Sequence, residues 1–139
     1  MKTIKNSITI ILLIGLISCE KMEFRQDISG LWQCDGVGGG LGGGWTKLYN
    51  FSHLRLRKNC QYYIYNYDTL KINGKYSMYE YGNNSNKYFE PYYIKFVGDN
   101  NSRISFPLNQ ELDVTIINND TLLLGERNID GLQYYFTRK

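Results

Sequence analysis

The chain has 139 residues, 42% hydrophobic and 15% aromatic, with a formal net charge of +3. This is the length of one domain with a core of its own, and no basic stripe marks a nucleic-acid binder. A single histidine and three cysteines show no clustering in sequence of the kind a metal site needs, and no metal or cofactor is expected.

At the N-terminus, Lys2 and Lys5 precede an apolar run from Ile8 to Ile17, interrupted by Thr9 and Gly15. A membrane-spanning helix needs about 20 apolar residues, so this run has the length of a signal-peptide core instead. It ends in Leu16-Ile17-Ser18-Cys19, which resembles the lipobox of bacterial lipoproteins. The resemblance implies a signal peptide over residues 1–18 and a diacylated Cys19 as the new N-terminus. It also implies a bacterial envelope location, lipid-anchored and at the outer membrane, with the side faced left open. Residues 19–26 then form the lipidated cysteine and tether, and residues 27–139 the folded domain. Removing the first 18 residues leaves 121 and lowers the net charge from +3 to +1, since Lys2 and Lys5 go with them.

Beyond the tether the pattern is β almost throughout. Leu54 and Leu56 alternate with His53, Arg55 and Arg57, and Tyr62 and Ile64 with Tyr63, Tyr65 and Tyr67. Ile72, Gly74, Tyr76 and Met78 follow at the same period, then Tyr92, Ile94 and Phe96, and then Ile104, Phe106 and Leu108. Leu112, Val114 and Ile116 lead through the Asn118-Asn119-Asp120 turn to Leu122 and Leu124, and Tyr134 and Phe136 follow Asp130-Gly131. Period 2 with turn residues at short intervals predicts an antiparallel meander with one buried face. About eight strands in one domain predict an all-β, up-and-down antiparallel barrel, which closure leaves without exposed edges.

Gly30-Leu31-Trp32 resembles the G-x-W that opens the first strand of lipocalins, and "LQYYFTRK" closes the chain with an aromatic strand. With the lipobox and a glycine-rich loop, the order of features is similar to small lipocalin-like lipoproteins of Bacteroides-type bacteria. The resemblance implies a lipocalin-like barrel in which Trp32 packs at the closed end beneath Arg138, as a cation–π pair.

Gly38 to Gly44 holds six glycines in seven positions, broken by Leu41. A phosphate loop is a poor reading, because Trp45-Thr46-Lys47 follows and no helix stands behind it. In the barrel, this stretch is expected to lie over the mouth, either as a passive loop or as a flap. A flap places Leu41 and Trp45 on a small apolar or amphipathic ligand, with Tyr63, Tyr65 and Tyr67 as further contacts. The alternative is a non-catalytic interaction module that docks on another envelope protein through exposed tyrosines. Catalysis is the weakest reading: His53 stands alone, and Glu80, Glu90, Glu111, Asp113 and Glu126 are scattered. Cys34 and Cys60 are either a disulfide or two buried thiols. A ligand binder is expected to hold an apolar cavity, and an interaction module a filled barrel with aromatic rings outside.

Overall fold

The computed structural model describes residues 28–39, 50–80, 92–99, 104–128 and 130–139. They form eight strands: β1 (Gly30–Gly39), β2 (His53–Leu56), β3 (Gln61–Asn66), β4 (Thr69–Glu80), β5 (Tyr92–Val97), β6 (Glu111–Ile117), β7 (Thr121–Glu126) and β8 (Leu132–Arg138). Each pairs antiparallel with its chain neighbour, and β1 pairs with β8, so the sheet is a closed up-and-down barrel. Among the described residues there is no helix.

Alternation decides what faces inward. Trp32, Leu54, Leu56, Tyr62, Ile64, Ile94, Phe96, Leu112, Leu122, Leu124 and Phe136 are essentially inaccessible. Their strand neighbours Gln33, His53, Arg55, Lys95, Asp113 and Gln133 are partly or fully exposed. An apolar interior with a polar wall is the sidedness of a barrel in water, the reverse of an outer-membrane pore.

At one end Trp32 is enclosed by its own chain. Its indole Nε1 donates to the Ile28 carbonyl at 2.9 Å, and the Arg138 guanidinium lies 4.3 Å from the ring centroid. Arg138 also donates to the Ser29 and Asn119 carbonyls, each at 2.8 Å, so one side chain ties the first strand, the last strand and the β6–β7 turn. Gly30, at φ 146°, leaves room for this, since a Cβ there would stand 3.0 Å from Arg138 Nη1. Asn118 and Asn119 both take left-handed φ in the β6–β7 turn, a conformation asparagine tolerates better than most residues.

The opposite end, where β1 finishes at Gly39, is filled by two phenylalanines from connections. Phe51 precedes β2, and Phe106 lies in the β5–β6 connection; both are buried. Their rings meet edge-to-face at 5.4 Å, and Phe106 meets Phe96 at 5.0 Å. Phe96 in turn meets Tyr62 at 5.1 Å, and Phe51 stacks on Phe136 at 6.4 Å. The Ser105 N–H donates to Asn50 Oδ1 at 2.9 Å, joining the two connections across the mouth.

Two sequence expectations change here. Ile104 to Leu108 is not a strand: Pro107 has no N–H to give a ladder, and Phe106 turns into the barrel instead. Gly38 and Gly39 are not loop but the end of β1, paired with Gln133 and Leu132. Gly39 is required there, at φ 105° with the Gly131 carbonyl 2.6 Å from where a Cβ would sit.

If Phe106 is core, Phe106→Ala destabilises the protein by about 3–5 kcal/mol in urea unfolding. Leu132→Ala, at a partly exposed position, costs under about 1 kcal/mol. Similar losses for the two would show that the mouth is not packed as described.

Candidate functional site

The outer wall of β1, β2 and β3 carries a groove of about 360 Å³ lined by Leu31, His53, Arg55, Tyr65, Tyr67 and Asp68. Register explains why these side chains meet. Leu31 pairs with Arg55, Gln33 with His53, His53 with Tyr65 and Arg55 with Tyr63. With Trp32, Leu54 and Ile64 facing the core, this set faces out. Arg57 lies 4.8 Å from the Tyr63 ring centroid and extends the aromatic and cationic row.

Ser52 organises the upper end of the groove. Its N–H donates to the Tyr65 carbonyl at 2.7 Å, and its hydroxyl lies 2.8 Å from His53 Nδ1 and 3.4 Å from the same carbonyl. The hydroxyl oxygen also accepts the Tyr67 N–H at 2.5 Å. The serine is thereby a tether for the β3–β4 turn, with its oxygen engaged by backbone rather than free for nucleophilic attack.

That turn is the Tyr67-Asp68 pair, and Tyr67 adopts φ 52°. A bulky residue at positive φ costs about 1–2 kcal/mol relative to glycine. Tyr67 is nevertheless 79% exposed, the most exposed large apolar residue described.

Tyr63 and Tyr65 stand on the outer wall and Tyr67 at a hairpin tip, so none of the three lines the mouth, which Phe51 and Phe106 fill. The reason is parity: Tyr62 and Ile64 take the inward positions of β3. Leu41, Trp45 and Cys19 lie outside the described residues. Trp32 and Arg138 come together as a stacked pair. Cys34 is a buried thiol outside any disulfide, so no Cys34–Cys60 bridge forms, and Cys60 is itself disulfide-bonded.

Glu90 lies outside the described residues, and among those described the carboxylates are held by separate partners. Arg127 bridges Glu111 at 3.6 Å and Asp113 at 3.3 Å on the outer wall. Glu126 accepts from the Tyr134 hydroxyl at 3.0 Å, Gln110 Nε2 at 3.2 Å and the Leu132 N–H at 3.2 Å. Among the described residues no three His, Cys, Asp or Glu side chains gather as a metal site would need. Phe51 and Ser52 carry no sequence signal, because their roles depend on contacts between connections, and Phe106 fits the strand period but acts from a connection. Compared with known proteins, the chain matches no family model, no curated protein and no solved structure.

Three phenols, Tyr62, Tyr93 and Tyr134, are raised above their ordinary 10.0, and two of them, Tyr62 and Tyr134, belong to the core. Burial raises Tyr62 above its ordinary 10.0. Burial raises Tyr134 further, reinforced by the Glu126 charge and by the hydrogen bond to it. Both therefore keep their protons in the folded state at pH values where the unfolded chain loses them. Their contribution is fully present below about pH 10 and is lost as pH rises from there. Urea unfolding is expected to weaken above about pH 10, and Tyr134→Phe to flatten that fall at a cost of about 1 kcal/mol at neutral pH. An unchanged alkaline slope in the variant would remove Tyr134 as its source.

Proposed function

We propose that the protein is a lipid-anchored envelope barrel that acts as a non-catalytic interaction module. It docks on another envelope protein through the outward face around the β3–β4 turn. The observation that carries this reading is Tyr67. Glycine or asparagine would satisfy its backbone at lower cost, so the fold has no use for a tyrosine there. An exposed phenol beside Tyr65, His53, Arg55 and Leu31 has the composition of a protein-recognition surface, with the groove able to receive a partner's side chain. A small ligand in the mouth has less support, since Phe51 and Phe106 occupy that end of the interior.

A photo-crosslinking residue placed at position 65, in cells of the native host, is expected to trap a discrete protein. The same probe at position 79, elsewhere on the outer wall, should not. Tyr67→Asn is expected to lower the crosslinked yield about fivefold while raising stability by about 0.5–1 kcal/mol. Trapping of lipid alone, or an unchanged yield in the variant, would rule out the docking reading.

The anchor has its own test. Lipidation at Cys19 predicts a diacylglycerol thioether on the mature N-terminal peptide, and Cys19→Ala should move the protein from the membrane to the soluble fraction. A protein that stays in the membrane fraction after Cys19→Ala would argue against the lipid.

A further inference from the structure

Among the described residues the barrel has a notch. β4 has 12 residues and β5 has 6, and β5 pairs only with Lys75 to Glu80. From Thr69 to Gly74, β4 is paired with β3 on one side, and on the other no described strand lies along it.

The departure of β5 is built into the sequence. The Tyr62 hydroxyl donates to the Val97 carbonyl at 3.2 Å. The next residue, Gly98, is drawn toward β6 by Asn109, whose Nδ2 donates to the Gly98 carbonyl at 2.8 Å and whose Oδ1 accepts the Gly98 N–H at 3.2 Å. Gly74 marks the branch point, since a Cβ there would lie 2.3 Å from the Val97 carbonyl oxygen.

Direction along β4 follows from one bond. The Tyr76 N–H donates to the Cys60 carbonyl, which lies on the β3 side. Backbone groups alternate sides along a strand, so those of Asn73 face the notch. Around it stand exposed apolar side chains: Leu70 at 47%, Val97 at 52% and the Tyr67 ring at the tip. Lys71 and Lys75 are also exposed, and neither has an ion-pair partner among the described residues.

Strand backbone with no partner among the described residues, beside exposed apolar side chains, is the arrangement used for strand addition. We infer that this notch takes an extended, acidic segment of the partner protein as an added strand, lying antiparallel to β4 and continuing the line of β5. The inference rests on the docking reading above and names its partner's chemistry. Alternate side chains of the segment face inward over Ile72, so they are apolar. The others stand on the outer wall near Lys71 and Lys75, so they are acidic. A second copy of this chain fits less well, because edge-to-edge pairing would bring Lys71 against its own like charge.

The test uses the full chain with three blocked hexapeptides. One alternates glutamate and valine, one alternates lysine and valine, and one is the glutamate peptide N-methylated at alternate backbone nitrogens. The acidic peptide is expected to bind and to slow exchange of the Asn73 amide. The basic peptide should bind about tenfold more weakly, and the N-methylated one should lose binding when the methyls fall on the pairing edge. Lys71→Glu with Lys75→Glu should reverse the charge preference. Asn73→Pro should abolish binding while the β-sheet circular dichroism is kept, because its N–H faces the notch.

No binding of the acidic peptide, equal binding of all three, or protection confined to the Tyr65 groove would overturn the inference. Peptide failure with Tyr67-dependent crosslinking intact removes strand addition alone. Peptide binding with no crosslinked protein removes the docking reading and leaves the notch without its proposed owner.

Discussion

The barrel depends on Arg138 lying across Trp32. Closure requires the first and last strands to pair, and those are the strands most distant in sequence, so the loop-closure entropy is largest there. One side chain answers that cost at a single point. It covers the indole, takes the Ser29 carbonyl next to β1, and takes the Asn119 carbonyl from the β6–β7 turn. With that end fixed, the Lys139 N–H reaches the Leu31 carbonyl, and the β1–β8 ladder runs from Trp32 to Gly39. The interior at the other end can then be completed by Phe51 and Phe106, which come from connections rather than strands.

The strands were legible because their signal is local. Period 2 located seven of the eight from alternation, and the Gly30-Leu31-Trp32 motif marked the eighth. Ile104 to Leu108 carries the same period without forming a strand, because Pro107 has no N–H to give a ladder. Tyr63 and Tyr65 fall on the outer wall by the same alternation, because Tyr62 and Ile64 take the core positions of β3. What no local pattern carries is the meeting of Phe51 with Phe106, the left-handed φ of Tyr67, or the point where β5 leaves β4. Each is set by two segments that find one another only in the closed barrel.

The candidate surface and the core draw on the same strands but make opposite demands. Inward positions are filled by rings and aliphatic chains at van der Waals contact, where a lost methylene is felt. Outward positions on β1 to β3 carry residues that do little for the fold, and at Tyr67 one that works against it. Ser52 reconciles the two, holding the turn by its backbone while leaving the phenol outside. The surface can therefore vary its side chains with little effect on the barrel.

The position of the chain's entry adds a spatial consequence. Ile28 enters beside Trp32, while the β3–β4 turn and the groove's upper rim lie at the Gly39 end. Ten residues of β1, at about 3.3 Å each and a tilt near 40°, separate the ends by about 25 Å. Under the proposed anchoring, the Trp32 end faces the lipid and the barrel serves as a pedestal. The tyrosine tip then stands about 25 Å farther out, at a height suited to the body of a neighbouring protein rather than to the bilayer itself.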